Sequence, residues 1–316
     1  MNVARNTILV AGSANLDFVV RAPHVPSAGE TVLGGEFATF PGGKGANQAV
    51  ASARAGGAPT EMLLALGCDP YAVPIEASLR DAGVQLHVVR VADRATGTAF
   101  ICVADTAENA ITVAPGANHA LRREDLPPLD HVSHVLLQLE TPLDVVDAYA
   151  RAARAAGARV VLNAAPAREL PTDMLRAVDV LIVNEGELAA LGDARGSLAQ
   201  RLAKIDVDTV IVTLGARGCC ARDRGRYLLQ PAFVVEPVDT TGAGDTFCGA
   251  LVAVLSRGAA LAAALRFASA AAALACTRLG AQASIPTRAD VVALLETATA
   301  DTSTAADDLA AYCGIA

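Results

Sequence analysis

The chain has 316 residues, 53% of them hydrophobic, 18% charged and 3% aromatic, with a formal net charge of -8 and a pI of about 5.1. That much apolar side chain can fill a large core and excludes an intrinsically disordered chain. The acidic balance, with no cluster of Lys and Arg interleaved with aromatics, removes the electrostatic footprint that nucleic acid requires. An anionic ligand would have to be held by backbone N–H groups at helix starts and by bound cations.

The opening MNVARNTILVAGSANLD has too short an apolar segment and too early an acidic residue for a secretory signal. TILVAG (7–12) is a β-branched run ending in glycine, which predicts a buried strand opening into a functional loop. Similar runs recur at 61–66, 134–139, 159–163, 179–183 and 209–214, alternating with Ala-rich stretches of helical length at 45–56, 72–82, 142–156 and 197–205. This alternation predicts an α/β fold, with a mostly parallel sheet flanked by helices. Segments 15–40 and 96–114 break the pattern with period-2 spacing and turn residues. They are expected to leave the main sheet as hairpins and pair into a small β-sheet lid whose apolar face carries Phe18, Val20, Phe37, Phe100 and Ile111.

Beyond Val235, helices are expected near 243–257, 259–276 and 288–298. The longest apolar stretch, Gly258 to Cys276, is mostly Ala and is broken by Arg266 and Ser269, which suits a buried helix and not a membrane span. Residues 1–298 therefore read as one domain, and 299–316, rich in Thr, Asp and Ala, as a tail expected to fray. The seven cysteines (68, 102, 219, 220, 248, 276 and 313) contain no CxxC and read as reduced core thiols of a cytoplasmic protein.

The strongest local signal is VDTTGAGDTFCGAL (238–251), where Gly242-Ala243-Gly244 runs into an apolar helix. Its free N–H groups and the helix dipole make an anion site, and Asp245 falls in the first turn, where a carboxylate beside incoming phosphate needs a reason. FPGGKGANQAV (40–50) is a second glycine-rich turn into a helix. It lacks the Walker A order, but Lys44 and Asn47 offer donors. In GSANLD (12–17), Asn15 and Asp17 follow the first strand, and Asp17 can accept two hydroxyl hydrogen bonds of a sugar or simply close a β-turn. Glu140, after HVLLQL, and Asn184 with Glu187, in VNEGE, also lie just past predicted strands, where open α/β sheets bind ligands.

Taken together, GGKGANQAVA and DTTGAGDTF resemble the ribokinase-like family of carbohydrate kinases, with further matches in GSANLD, PGANHAL (115–121), LQLETP (137–142), LNAAPARELP (162–171), TLGARG (213–218) and TRLGAQASIP (277–286). The resemblance runs from Gly12 to about Ala289 and implies ATP-dependent phosphorylation of D-ribose at O5 to give ribose 5-phosphate. It implies that Asn15, Asp17, Gly43, Lys44, Asn47 and Glu140 surround the sugar. Asp245 would be the general base, and Gly242, Ala243 and Gly244 the anion hole for the transferred phosphoryl group. Asn184 and Glu187 would organise phosphate, water and Mg²⁺, and Thr213, Gly215, Gly218 and Ser269 would line the nucleotide site. A K⁺ site is implied at Asp239, Thr241, Ala275, Arg278, Gly280 and Ser284, and a homodimer through the lid.

Three departures stand out: Cys68-Asp69-Pro70-Tyr71-Ala72 replaces a Gly-Asp-Asp stretch, Ala164 replaces a Pro in the Asn-Pro-Ala-Pro pattern, and Ala283 replaces a Pro in the cation loop. The first puts the packing of that loop in doubt, and none removes a catalytic group. Kinases of 2-deoxyribose, nucleosides or fructose, and a non-catalytic sugar-binding regulator, are the competing readings. The scarcity of aromatics argues against a nucleoside base, and Asp245 beside its glycines argues against a regulator.

Overall fold

The computed structural model describes residues 5–106, 109–192, 195–297 and 303–315. Strands β1 (Thr7–Ala11), β4 (Thr60–Gly67), β5 (Gln85–Val91), β8 (Val132–Leu137), β9 (Arg159–Asn163), β10 (Val180–Asn184), β11 (Thr209–Thr213), β12 (Gly218–Asp223) and β13 (Arg226–Pro231) build one sheet. Its order is β13-β12-β11-β10-β9-β8-β1-β4-β5, parallel except for β12 and β13. A second sheet, ordered β3-β2-β6-β7, contains β2 (Asn15–Ala22), β3 (Phe37–Gly42), β6 (Gly97–Ala104) and β7 (Asn109–Ala114). The helices are α1 (Lys44–Val50), α2 (Ala72–Asp81), α3 (Leu143–Ala155), α4 (Thr172–Leu175), α5 (Glu185–Ala190), α6 (Leu198–Ala203), α7 (Ala243–Leu255), α8 (Leu261–Ala275), α9 (Arg288–Thr297) and α10 (Ser303–Cys313).

The central strands are predominantly apolar because both faces are covered. In β1, Ile8 and Val10 join the core beneath α1, α2, α7, α8 and α9, while Leu9 and Ala11 join the core beneath α3 to α6 and α10. The helix expected over 45–56 continues past α1 as a π-helical turn at Ala51–Ala55. There α7 approaches closely: a Cβ on Gly249 would lie within 3 Å of the Ala51 side chain and the Ser52 backbone. Close approach of these two helices sets where their N-termini meet. Among the described residues no helix is long and apolar enough to cross a membrane.

The hairpins at 15–40 and 96–114 form the small sheet, β2 and β6 pairing in parallel at its centre. One residue changes face. Ile111 lies opposite Ile101, which is level with Val19, so Ile111 shares the side of Asp17 and not that of Phe18. Alternation within each strand is legible in sequence, but the register across the β6–β7 turn decides which face a residue joins. On the other side the Phe18 ring stacks on Phe100 and Phe37, at 5.3 and 6.2 Å between centroids, and meets Tyr71 edge-on.

The tail expected to fray instead forms α10, with Leu309 and Cys313 fully buried beside α6 and β13. Its apolar residues sit four apart on one helical stripe, a pattern that composition conceals. Residues 299–302 and 316 of that tail lie outside the described residues. Of the cysteines, 219, 220, 248 and 313 are buried and 102 and 276 half-buried, but Cys68, on the loop after β4, is exposed and is not a core thiol.

Candidate active site

The chain leaves β1 at Gly12, turns through Ser13 and Ala14, and enters the small sheet at Asn15. The turn before α1 is pressed against this crossing. Gly43 has φ +88°, and a Cβ there would lie 2.8 Å from the Ala14 Cα and Asn15 nitrogen; one on Gly45 would lie 2.7 Å from the Ser13 backbone. A Cβ on Gly42 would overlap the Asp17 carboxylate. Gly43 and Gly45 thus admit the protein's own backbone and Gly42 the Asp17 carboxylate. Ser13 Oγ donates to Glu140 Oε2 and accepts from the Gly45 N–H, while the Lys44 N–H donates to the same Glu140 oxygen at 3.1 Å. Asn118 fixes the start of β2, accepting from the Ala14 N–H and donating to Asn15 Oδ1 at 2.7 Å.

The N-termini of α1 and α7 meet at Asp245, whose two carboxylate oxygens accept from Asn47 Nδ2 and Gln48 Nε2, each at 2.9 Å. A carboxylate that only accepts dictates the orientation of the amides around it. Gln48 must present its NH₂, which also donates to Asn163 Oδ1, so its oxygen faces away and accepts from Gln138 Nε2 at 2.6 Å. Gln138 Oε1 then has no partner among the described residues. On the other side, Gln282 Nε2 donates to Asn47 Oδ1, and Ser78 Oγ donates to Gln282. Asn47, expected at the sugar, is therefore committed to Asp245 and Gln282.

Electrostatics bind these groups together. Burial raises the Asp17 carboxyl to about 7, with added repulsion from Glu140 and Asp245. Burial also works against charge on Lys44, but Asp245, Glu140 and Glu187 outweigh it and hold its pKa above the ordinary value. Glu187 is raised by burial, only partly offset by the Asn184 N–H and Lys44. A cleft of about 750 Å³ opens between the small sheet (Asp17, Val19, Arg21, Ile101) and the loops at Asp239–Thr241 and Leu279–Ala281. Of the residues expected around the sugar, Asp17 lines this cleft.

Gly242 caps α7 in a left-handed conformation, φ +74°, and puts Asp245 in the first turn. The Gly242 and Gly244 N–H groups meet no acceptor among the described residues, whereas that of Ala243 reaches the Thr240 carbonyl at 3.2 Å. Asp239 ties this turn to the loop after α8, accepting from the Thr241 and Gly280 N–H groups at 2.9 Å each. Burial opposes its charge, but those two N–H groups and Arg21 prevail and keep its pKa low. In the same loop the Ala275 carbonyl accepts from the Arg278 N–H, the Gly280 carbonyl from the Ser284 N–H, and buried Ser284 donates to the Ala281 carbonyl.

The residues expected at a nucleotide line up across neighbouring strand ends. Asn184 pairs with Thr213, and Thr213 with Cys219. Asn184 and Glu187 form a reciprocal capping box on α5. Gly215 and Gly218, both at positive φ, bracket the turn between β11 and β12, and Ser269 lies under it, its Oγ 3.8 Å from Cys219 Sγ. Sequence reasoning missed Ser13, Gln48, Asn118, Gln138, Asn163 and Gln282. Asn118 and Gln282 sit in segments singled out as family matches, Gln138 and Asn163 near the ends of predicted strands, and Gln48 stands directly beside Asn47.

The pfkB family carbohydrate kinase model matches residues 5–288. A ribokinase of Haemophilus influenzae is 38% identical over 304 residues, covering 92% of this chain and 99% of its own. The crystal structure of a ribokinase from Thermotoga maritima superposes with a TM-score of 0.86 at 36% identity, covering 92% of this chain and 99% of that one. The Arabidopsis thaliana ribokinase complexed with ribose and ATP gives 0.84 at 32% identity, covering 93% and 100%.

A Cβ on Gly244 would meet nothing within 4 Å, although the residue lies inside a helix. Alanine there should stabilise the fold by up to about 1 kcal/mol while intruding on the space above the helix end. We expect Gly244→Ala to melt at or above the wild-type temperature, yet to bind a phosphate-bearing ligand at least about tenfold more weakly, since it blocks free N–H donors. Calorimetric titration with unchanged affinity would show that this helix end is not an anion site.

Proposed function

Since this chain belongs to the pfkB family of carbohydrate kinases, we propose that it transfers the γ-phosphate of ATP to O5 of D-ribose, with Asp245 as general base. The observation that carries this reading is the Asp245 carboxylate, oriented by Asn47 and Gln48 and one residue from the free N–H of Gly244. A base and an anion hole on one helical turn match in-line phosphoryl transfer, which depends on positioning and charge stabilisation. Asp245 takes the proton from the sugar's terminal hydroxyl as that oxygen attacks. The Gly242 and Gly244 N–H groups stabilise charge on the equatorial oxygens, and Lys44 offsets the surrounding carboxylates. The small sheet, carrying Asp17 over the cleft, keeps water from the activated phosphate.

The types of oxygen donor present would suit two cations. Glu187 and Asn184, with their oxygens at the end of β10, would organise the water shell of Mg²⁺, which neutralises phosphate charge when bound. Asp239, the carbonyl oxygens of Ala275, Arg278 and Gly280, Ser284 Oγ and Thr241 would supply an all-oxygen set of the kind that suits weakly hydrated K⁺. Its role would be to brace the turn that carries Gly242 to Gly244. The reading further places the enzyme in the cytoplasm, where ATP is supplied and free thiols persist.

A coupled assay of ADP release tests the reading directly, run with ribose, 2-deoxyribose, fructose and adenosine, in K⁺ and in a large organic cation at matched ionic strength. Ribose should be preferred and K⁺ should activate. Equal kcat/KM for ribose and 2-deoxyribose would reassign the substrate, and no sugar-dependent ADP release would indicate a regulator. We expect Asp245→Asn to lower kcat by about 10³-fold while ribose still binds, because Gln48 can flip to face the new amide. Retention of a tenth of wild-type kcat would remove Asp245 from the base role.

Protonation of Asp17 predicts a pH effect on binding. With its carboxyl at about 7, Asp17 is mostly ionised at pH 8 and mostly protonated at pH 6, and sugar hydroxyls donate to the ionised form. Affinity for ribose should therefore fall by up to about tenfold from pH 8 to pH 6, in proportion to the competent fraction. Asp17→Asn should bind weakly with a flat profile; a flat wild-type profile would contradict the assignment.

Phe37 and Phe100 are 64% and 55% exposed on the outer side of the small sheet. A contiguous aromatic patch of this kind supports pairing of two lids in a homodimer. Light scattering at micromolar concentration should return twice the chain mass, and Phe100→Lys should return the monomer. A monomeric wild type would overturn the pairing.

A further inference from the structure

The family match ends at residue 288, yet α10 returns to the ligand end of the sheet. Cys313 is fully buried beside Cys220 of β12. Gly314 follows at φ +70°, where a Cβ would lie 2.5 Å from that of Ser197, the residue that caps α6. The end of α10 is thus held on two sides, and its register is fixed. That register points Tyr312 at two loops at once. Its hydroxyl donates to Glu185, the first residue of α5, and its ring lies under the Arg217 guanidinium, 4.2 Å from centroid to the cation.

We propose that Tyr312 is a positioning residue for the nucleotide, tethering the β10–α5 turn to the β11–β12 turn and so holding both in their binding conformation. The proposal rests on the reading that Asn184, Glu187, Gly215 and Gly218 bind ATP. Gly186 stands in the first turn of α5, and Gly215 and Gly218 bracket the β11–β12 turn, and ordering such backbone on binding subtracts from affinity. A tether that orders them beforehand removes that cost. Tyr312 touches neither Asp17 nor Asp245, so its effect should fall on ATP and not on the sugar.

Three variants test this: Tyr312→Phe, which keeps the ring but loses the bond to Glu185; Tyr312→Ala, which loses both contacts; and the chain ending at 297. KM for ATP and the calorimetric Kd for ADP should rise about threefold in Tyr312→Phe and about tenfold in Tyr312→Ala. KM for ribose and the melting temperature of the point variants should stay near wild type. Arg217→Ala should give most of the rise seen with Tyr312→Ala, and the double variant little more than either. Unchanged ATP and ADP constants in Tyr312→Ala would overturn the proposal. So would equal increases for ATP and ribose with a lowered melting temperature, which mark a purely structural helix. If the shortened chain fails to fold, the point variants decide alone. A wild type that binds no ADP would instead refute the kinase reading.

Discussion

Everything at the ligand end of the sheet depends on one buried carboxylate shared between two helix N-termini. Asp245 lies in the first turn of α7, and the donors that orient it, Asn47 and Gln48, lie at the end of the first turn of α1. Neighbouring side chains on an α-helix point about 100° apart around its axis, and Asn47 and Gln48 each take one oxygen of the carboxylate where the N-terminal part of α1 meets that of α7. That meeting requires close packing further along, which Gly249 supplies where α7 crosses the π-helical turn after α1. The same demand propagates outward through the amides. Because Asp245 only accepts, Gln48 and Gln138 are each left with one orientation, and the chain of donors ends at a Gln138 oxygen with no partner among the described residues. A buried acceptor without a partner is a cost. It is tolerated here because reversing the chain would set a donor-poor oxygen against the carboxylate.

The charge pattern answers a difficulty raised by composition. An acidic protein that binds ATP needs local positive potential, and Lys44 is surrounded by Asp245, Glu140 and Glu187, which hold its proton against the effect of burial. Those carboxylates cannot be neutralised by one ammonium. Asp17 shows the remainder, its carboxyl pushed up to about 7 by burial and by Glu140 and Asp245. In the proposed mechanism, backbone donors at Gly242 and Gly244 would carry much of the attraction for phosphate, since they add no counter-charge that the carboxylates could capture.

Strand runs and the two glycine-rich turns were legible because each rests on local chemistry. β1, β9 and α7 fall within a residue or two of the expected limits, and Asp245 lies where the motif placed it. What escaped depends on register or on partners distant in sequence. Ile111 changed face because the alignment of β7 on β6 is set across the turn. Gln48 looked like an ordinary helix residue because its partners, Asn163 and Asp245, are 115 and 197 positions away. The helix at 303–313 was hidden because Ala, Thr and Asp suggest a solvated tail, and only Leu309 and Cys313, on one stripe, mark the side that packs.

Glycines in the two signatures look alike in sequence but answer to different constraints. Gly42, Gly43 and Gly45 are each blocked by the protein itself, at Asp17, Ala14 and Ser13, so they hold the site's geometry whether or not a ligand is bound. Gly242 is intermediate: its left-handed backbone sets the start of α7, and the Ala281 backbone lies 3.1 Å from where a Cβ would stand. Gly244 alone in the second signature faces open space, inside a helix where alanine would be favoured. Nothing in the folded chain requires glycine there, which accords with the proposed anion site: a methyl group would stand where a ligand oxygen would approach the helix N–H groups.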